Sequence, residues 1–272
     1  MKAVAVVGSF DDLRARQVRF LEEAAKIGEV HAWVWPDAAV RRITGKPAKF
    51  SAGERVYMTQ SLRFIKSAHI ASGLPEAHAV PGLDVFKPQI WAVAESEAAV
   101  EKKAFCDGLG IELRIIPEKN LITIPPAMPL SPRLAHRRKV IVSGCYDWLH
   151  SGHIRFFEEA SGYGDLFVDV GGDDNIRMLK GKGHPLLGQN TRLYMVLAVK
   201  YVKQAFIGSG FGWLDAAPEI NRIKPDLYVV NEDGDRPEKR EFCEDRGIQY
   251  LVLKRVPKSG LPRRDSTSLR GY

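Results

Sequence analysis

GCYDWLHSGHIRFFEEA, residues 144–160, has a gapless counterpart near the start of the chain, GSFDDLRARQVRFLEEA at residues 8–24. The two stretches are identical at eight of seventeen positions. Three shorter matches follow in the same order and at a nearly constant offset: RVYM at 55–58 with RLYM at 192–195, KP at 87–88 with KP at 224–225, and FC at 105–106 with FC at 242–243. Repetition on this scale indicates a tandem duplication of one folding unit of roughly 130 residues, an ordinary domain size.

The matches divide the chain of 272 residues into two domains. We expect the first domain at residues 1–125, a proline-rich, semi-rigid linker at 126–138 and the second domain at 139–272. In the second domain, short β-branched stretches alternate with stretches of helical spacing. Strands are expected at 140–143, 166–170, 205–207, 227–230 and 250–253, and helices at 154–160, 192–202 and 237–246. This alternation predicts an α/β fold of two tandem Rossmann-like domains, each a parallel sheet with helices on both faces.

Composition narrows the class of protein. Hydrophobic residues are 45% and charged residues 27% of the chain, as in globular proteins. No apolar run approaches the ~20 residues of a membrane span, and no targeting segment is visible, so we expect a cytoplasmic protein. The three cysteines lack zinc-site spacing. The net charge of +7 suits an enzyme that binds polyphosphates, and no motif points to a nucleic-acid partner.

The sequence HSGH at residues 150–153 contains the side chains best suited to binding a phosphate. A strand is expected to end at Gly144 and a helix to begin near Gly152, so backbone N–H groups and the positive end of the helix dipole face any phosphate there. Gly152 permits close approach of that phosphate. His150 and His153 lie on one turn and can stabilise charge on it. A surface histidine pair and a metal site are the alternatives, but no third metal ligand is evident.

This region resembles the signature of the cytidylyltransferase-like superfamily, which includes glycerol-3-phosphate and phosphoethanolamine cytidylyltransferases and the adenylyltransferase of ADP-heptose synthesis. The resemblance implies catalytic roles for His150, His153, Lys182 and Arg192. It implies Mg²⁺ carried on the phosphates, without a protein cage for the metal. It also implies a set of nucleotide-binding residues: Gly144, Cys145, Tyr146, Asp147, Gly152, Asp174, Lys180, Asn231, Ser266, Thr267 and Ser268.

Two positions depart from the family pattern. Asn231 opens a segment that is often glycine-rich in relatives, and His184 stands where many relatives have arginine. The arginine that usually precedes the Ser-Thr element corresponds to Arg255, Arg263 or Arg264. Proximity in sequence favours Arg263 or Arg264.

The first domain lacks the residues of this motif. Arg14 aligns with His150, Arg16 with Gly152 and Gln17 with His153, so both imidazoles and the glycine are replaced together. We interpret the first domain as a degenerate, inactive copy, similar to the tandem arrangement of phosphoethanolamine cytidylyltransferase. The alternative is that the arginines bind a different anion. Two such copies are expected to pack as a pseudo-dimer within one chain, which would suit a monomer.

The sequence therefore predicts an enzyme that transfers a nucleotidyl group from a nucleoside triphosphate to a small phosphorylated acceptor and releases pyrophosphate. CTP is the first choice of nucleotide and ATP the second. Glycerol phosphate, phosphoethanolamine and a sugar phosphate remain open as acceptors. The alternative is a regulatory or scaffold protein that binds the triphosphate without turnover.

Overall fold

The structure, a computed structural model, describes residues 1–72, 78–83, 86–131, 135–266 and 269. Two of the expected site residues, Thr267 and Ser268, lie outside these ranges. The chain separates into two compact units, Met1–Ile124 and Pro125–Tyr272, hereafter the first unit and the second unit. Each unit has its own sheet, and each is described by itself.

Strands and helices alternate along both units. In the first unit they are β1 Ala3–Gly8, α1 Ala15–Ala25, β2 Glu29–Val34, α2 Asp37–Thr44, α3 Ala52–Gln60, β3 Ile65–Ile70, β4 Ile90–Ala94, α4 Val100–Leu109, β5 Glu112–Ile116 and α5 Lys119–Ile122. In the second unit they are β6 Lys139–Gly144, α6 Ser151–Ser161, β7 Asp165–Val170, α7 Asp173–Lys180, α8 Gln189–Leu197, β8 Val202–Ile207, α9 Ala217–Ile223, β9 Leu227–Asn231, α10 Pro237–Glu244 and β10 Gln249–Leu253.

The two sheets have one topology. Their strand orders are β3-β2-β1-β4-β5 and β10-β9-β6-β7-β8, and each pair of neighbours within them runs parallel. The predicted fold class, two tandem Rossmann-like parallel sheets, is confirmed. In each sheet the second and third strands lie on one side of the first strand, and the fourth and fifth strands lie on its other side. In the second unit this change of side makes a topological switch point between β6 and β9, where parallel sheets bind ligands.

Burial of the central strands explains the parallel arrangement. In β6, Val140, Ile141 and Val142 are all fully buried, as are Leu166, Phe167 and Val168 in β7. Runs of consecutive buried residues, without alternation, are typical of strands covered on both faces. Burial of each large side chain contributes about 1.5–3 kcal/mol to stability.

A buried arginine ties three segments of the second unit together. The side chain of Arg192, on α8, is fully buried. Its Nε donates to Leu187 O at 2.9 Å and its Nη1 to Cys145 O at 2.6 Å. Its Nη2 donates to Gly171 O at 2.8 Å and to Asp173 Oδ1 at 2.7 Å. Arg192 thereby fixes the loops that follow β6 and β7.

Arg55 makes the corresponding contacts in the first unit. It is also fully buried, and its Nε donates to Phe50 O at 2.9 Å and its Nη1 to Ser9 O at 2.6 Å. Its Nη2 donates to Asp37 Oδ1 at 2.6 Å. A guanidinium offers five donors in a fixed fork, so one side chain can hold several carbonyls that would otherwise be buried without partners.

The segment expected as a linker is attached to the second unit. The side chain of Gln204, on edge strand β8, donates to Pro129 O at 2.7 Å and accepts from the Ser131 N–H at 2.9 Å. The carboxylate of Asp165 accepts from two further backbone N–H groups, at residues 136 and 137. These side chains hold the proline-rich segment along the edge of the sheet.

The helices are short. The longest, α1 and α6, contain 11 residues each, about half of what a bilayer requires. Within the part of the chain that the structure describes, no helix has the length and hydrophobicity of a membrane span.

Candidate active site

A cavity of about 410 Å³ opens at the carboxyl ends of the strands of the second unit. This volume falls within the range of small-molecule sites, roughly 300–1,000 Å³. The loop after β6, the start of α6, the end of α7 and the loops after β8, β9 and β10 form its walls. The expected site residues found in the wall are Gly144, Cys145, Tyr146, Asp147, His150, Gly152, His153, Lys180, Asn231 and Ser266.

His150 begins helix α6. It is the residue before Ser151, and its Nδ1 accepts from the Gly152 N–H at 3.1 Å. A nitrogen that accepts carries no proton, so the neutral ring carries its proton on Nε2. His150 is 1% exposed, and its Nε2 has no hydrogen-bond partner among the described residues. The helix cap thus leaves one buried N–H available to a ligand.

His153 stacks on His150. Their ring centroids are 3.9 Å apart and the rings are inclined by 21°. The Nδ1 of His153 is buried and also lacks a partner within the described part of the chain. Two adjacent, unsatisfied imidazole nitrogens are expensive to bury, since each forgoes a hydrogen bond to water. Both residues belong to the cavity wall, which makes these nitrogens candidates for contact with a ligand.

Both imidazoles are held neutral. Burial, followed by the nearby charges of Arg255 and Arg264, lowers the pKa of His150 to about 3. Burial also lowers the pKa of His153 well below its ordinary value, and His150, Arg255 and Lys180 act in the same direction. A neutral imidazole has a single N–H, so His150 can donate from Nε2 to a phosphate oxygen. The His153 ring is engaged in a backbone hydrogen bond with Trp148, which raises its pKa in opposition to the other effects.

Glycine is required beside these rings. A Cβ added at Gly152 would lie 3.0 Å from the His150 ring and 3.2 Å from Arg264 O. A Cβ added at Gly144 would lie 2.8 Å from the Tyr146 ring, which folds back over the strand end because Tyr146 has a left-handed backbone with φ of 51°. Close packing of the histidine and tyrosine rings therefore explains both glycines.

Two cations of the second unit face the histidines. Lys180, the last residue of α7, lines the cavity, and so does Arg255, which follows β10. Arg255 is held by Asp233 Oδ2 at 2.6 Å and by Arg264 O at 2.7 Å. Arg263 is largely exposed and lies 3.7 Å from a carboxylate oxygen of Glu232. The structure thus places Arg255 in the cavity wall, and Arg264, which proximity in sequence also favoured, is close enough to lower the pKa of His150.

Three expected site residues are absent from the cavity wall as the described residues define it: Lys182, Arg192 and Asp174. Lys182 is exposed in the loop beyond α7. Asp174 is exposed and pairs with Arg177 at 2.6 Å, one helical turn away. The guanidinium of Arg192 donates all of its observed hydrogen bonds to backbone carbonyls and to Asp173, so Arg192 supports the loops beneath the cavity.

Asp147 joins the histidine loop to the loop before α8. Its two carboxylate oxygens accept from the backbone N–H groups of Leu186 and Leu187, both at 2.8 Å. Asp11 makes the matching pair of bonds to the N–H groups of residues 49 and 50 in the first unit. The aspartate at this position therefore makes the same structural contacts in each unit. The side chain of Asp147 also lines the cavity.

Sequence reasoning missed several polar or aromatic residues of the wall, and four of them are Trp213, Asp215, Arg236 and Lys239. The Arg236 guanidinium lies 4.4 Å from the centre of the Trp213 ring. Lys239 has one detectable signal, since it repeats Lys102 of the first unit at the offset that relates Arg192 to Arg55. The other three positions carry different residues at the same offset in the first unit.

Comparison with known proteins gives consistent matches. A model of the family described as cytidylyltransferase-like matches residues 141–257. FAD synthase of Aciduliprofundum boonei is 34% identical over 119 residues, 43% of this chain and 76% of that protein. FAD synthase of Methanocella paludicola is 33% identical over 135 residues, 48% of this chain and 93% of that protein. The bifunctional protein HldE of Methylococcus capsulatus is 37% identical over 120 residues, 43% of this chain and 25% of that protein.

The family match spans the second unit from β6 to the segment after β10, and so includes both histidines and Arg255. The similarity to the FAD synthases exceeds 30% identity over more than two thirds of their length, whereas the chain spans only a quarter of HldE. The chain belongs to the cytidylyltransferase-like family of nucleotidyltransferases.

Proposed function

We propose that the second unit transfers a nucleoside monophosphate from CTP or ATP to a small phosphorylated acceptor and releases pyrophosphate. The observation that carries this proposal is the pair of buried, neutral imidazoles with unpartnered nitrogens at the start of α6. Hydrogen-bond donors at a helix N-terminus, with Lys180 and Arg255 beside them, are suited to a triphosphate.

The reaction needs no covalent intermediate with the protein. A phosphate oxygen of the acceptor attacks the α-phosphorus, the bond from that phosphorus to the bridging oxygen breaks, and the electron pair leaves with pyrophosphate. His150 donates from Nε2 to an oxygen on which negative charge accumulates and His153 packs against its ring, while Arg255 and Lys180 offset the charge of the triphosphate. The attacking oxygen is already anionic, so a strong general base is not required.

We propose that Mg²⁺ enters with the triphosphate. Two carboxylates in the wall are already engaged, since Asp147 accepts two backbone N–H groups and Asp233 pairs with Arg255. These residues are poor candidates for a metal cage, and the phosphate oxygens are the natural ligands for the ion. When bound there, Mg²⁺ neutralises charge on the leaving pyrophosphate.

One observation favours CTP as the nucleotide and another favours ATP. The resemblance of residues 144–153 to cytidylyltransferases favours CTP, whereas the FAD synthases, whose product is an adenine dinucleotide, favour ATP. Pyrophosphate release should be measured with each nucleotide against phosphorylated polyols, sugars, amines and flavin mononucleotide. The double variant His150→Ala with His153→Ala controls for contaminating activity. Binding of a nucleotide without pyrophosphate release for any acceptor would favour a regulatory protein instead.

A further inference from the structure

The cavity of the second unit is bounded on two sides of the histidines. The segments after β9 and β10 form one side and include Asn231 and Arg255. Helix α7 and the 3₁₀ turn Gly212–Leu214, which follows β8 and which we call the tryptophan turn, form the other side. The switch point between β6 and β9 favours the first side for the nucleotide. The side that contains the tryptophan turn is then left for the acceptor.

One buried amide joins α7 to the tryptophan turn. The side chain of Asn175, on α7, belongs to a residue that is 2% exposed. Its Oδ1 accepts from the Gly212 N–H at 2.7 Å, and its Nδ2 donates to Gly212 O at 3.2 Å. The same Nδ2 donates to Asp215 Oδ2 at 2.8 Å. A side-chain amide both donates and accepts, so Asn175 can hold both backbone groups of Gly212 at once.

The tryptophan turn depends on this contact. Gly212 has a left-handed backbone, with φ of 72°, and the Gly210 N–H donates to Asp215 O at 2.9 Å across the loop. Among the described residues, no side chain other than that of Asn175 forms a hydrogen bond with the backbone of the turn. The turn carries Trp213 in the cavity wall, with the Arg236 guanidinium 4.4 Å from the centre of its ring.

The same helix carries a cation of the cavity at its end. Lys180 is the last residue of α7 and follows Asn175 by five residues, a separation of about 7.5 Å along a helix. Lys180 lines the cavity, and its charge is near enough to lower the pKa of His153. Because a helix is rigid over this length, Asn175 fixes the tryptophan turn at a set distance from Lys180 and the histidines.

The first unit shows that the fold does not require an amide at this position. Helix α2 has eight residues, as α7 does, and its third residue is Ala39 where α7 has Asn175. Ala39 is fully buried. The last residue of α2 is Thr44 where α7 has Lys180. The unit without the two histidines therefore also lacks the amide and the lysine, which connects Asn175 with the site rather than with folding.

We propose that Asn175 is a positioning residue, which holds the tryptophan turn where the bound acceptor meets the nucleotide at Lys180 and His150. This inference rests on the proposed nucleotidyl transfer. Asn175 is not among the residues of the cavity wall as the described residues define it, so it acts through the turn and touches neither substrate. Reacting groups must be aligned closely, and a displacement of about 1 Å can lower a rate on the order of 10²-fold.

The first test replaces the amide with the residue of the first unit. Asn175→Ala should raise the acceptor KM about tenfold and leave the nucleotide Kd within about twofold, because only the acceptor side loses its support. Steady-state pyrophosphate release, with the acceptor of the panel above that gives the highest kcat/KM, measures the first quantity, and calorimetry measures the second. Partial unfolding would instead lower kcat in proportion to the folded fraction and leave the acceptor KM unchanged.

Arg177→Ala is the matched control on the same helix. Arg177 is exposed and pairs with Asp174 at 2.6 Å, and a surface ion pair of this kind contributes little to stability. This variant should change neither the acceptor KM nor the nucleotide Kd. Asn175→Ser, which keeps a hydroxyl that can replace part of the amide contact, should raise the acceptor KM less than Asn175→Ala. It keeps the test decisive if the alanine variant does not fold.

A second measurement needs no substrate. The chain contains five tryptophans, so the fluorescence of Trp213 is obtained by difference from Trp213→Phe, prepared in the wild-type chain and in Asn175→Ala. Quenching of that difference by acrylamide should increase about twofold in Asn175→Ala, because a turn that loses its hydrogen bonds opens more often. Arg177→Ala should leave the quenching as it is in the wild-type chain.

An unchanged acceptor KM in Asn175→Ala, with an active wild-type chain, would overturn this inference and leave the proposed function intact. Equal changes in the acceptor KM and the nucleotide Kd would also overturn it, since the loss would then belong to α7 as a whole. Unchanged quenching of Trp213 would overturn it independently of turnover. If the wild-type chain released no pyrophosphate with any acceptor, the proposed function would fail, and with it the role of Asn175 in placing an acceptor.

Discussion

The first helix of each unit follows the first strand, but the polar groups at the start of the helix are paired differently in the two units. In the first unit, Gln17 Oε1 accepts from the Arg14 N–H at 3.1 Å, and the Arg16 guanidinium pairs with Glu118. In the second unit, His150 caps the helix through one nitrogen and leaves the other unpaired within the described residues. One unit satisfies its helix start internally, whereas the other leaves donors for a ligand.

The residues that follow the fifth strand also differ in charge between the two units. Glu118 follows β5 at the position where Arg255 follows β10. In addition, Asp12 of the first unit pairs with Arg14 at 3.0 Å and with Lys49 at 3.1 Å. Cations near that helix are therefore matched locally by acids. We expect the first unit to bind no triphosphate, and four experiments test the contrast.

The largest effect is expected at the histidines. His150→Ala or His153→Ala removes an imidazole that we propose acts on the transferring phosphate and should lower kcat by on the order of 10²–10³. Arg14→Ala, at the equivalent position of the first unit, is the control and should leave kcat within about twofold. Steady-state kinetics at saturating substrates measures both. If the Arg14 and His150 variants lost kcat equally, the two units would not differ in function as we expect.

Next in size is removal of the buried arginines. Arg192→Ala leaves several buried carbonyls without donors and should lower the free energy of unfolding by about 3 kcal/mol. Arg55→Ala should lower it similarly while leaving kcat of the folded enzyme within about twofold. Thermal denaturation followed by kinetics separates these effects. If Arg192→Ala kept full stability but bound nucleotide weakly, the arginine would contact substrate directly, as its resemblance to relatives implies.

A smaller effect is expected from the cation beside the histidines. Arg255→Gln removes one charge from the cavity and should weaken nucleotide binding about tenfold, as for loss of one charge-assisted hydrogen bond. It should also raise the pKa of both imidazoles, which Arg255 depresses. Glu118→Gln is the counterpart in the first unit. Calorimetric titration with CTP and ATP should show no change for that control, and an unchanged Kd for Arg255→Gln would remove this residue from the site.

The last experiment concerns pH. Unfolded histidines titrate near pH 6.5, whereas the pKa of His150 in the fold is about 3. Between these values the unfolded chain binds more protons, so stability is present at neutral pH and falls as the pH drops from about 6.5 toward 3, by up to ~1.4 kcal/mol per pH unit for each such histidine. His150→Asn with His153→Asn should flatten this dependence in denaturant titrations. An unchanged slope would mean that the histidines are not buried.

Much of the fold was predictable because short β-branched stretches mark the strands and the longest repeated stretch covers the first helix of each unit. The expected strand 227–230 and helix 237–246 correspond closely to β9 and α10. The expected helix 192–202 instead ends at Leu197, since β8 begins at Val202 and the chain must turn between them. Helices α7 and α9 were missed. The glycine and lysine residues that follow α7 suggested a loop, although Asp173 and Asp174 favour a helix start.

The site was predictable only where chemistry and position coincide in a short motif. HSGH at residues 150–153 specifies a strand end, a helix start and two imidazoles together. The position of Arg255 depends on the fold of the loops after β9 and β10, which no local pattern encodes. The contacts of Arg192 could not be predicted for a different reason, because a buried arginine and a phosphate-binding arginine look alike in sequence. Only its contacts with carbonyls distinguish the two.

The contact between Gly152 and the His150 ring constrains the routes by which the first unit could regain a phosphate site. A side chain at position 152 would press on that ring at 3.0 Å, and the first unit carries Arg16 at the corresponding position. A single change of Arg14 to histidine would therefore introduce a ring with no room for it. Replacing Arg16 with glycine first would leave Glu118 without its ion pair. Arg14→His therefore requires Arg16→Gly before it or together with it, and the glycine removes the ion pair of Glu118 whether or not the histidine is present.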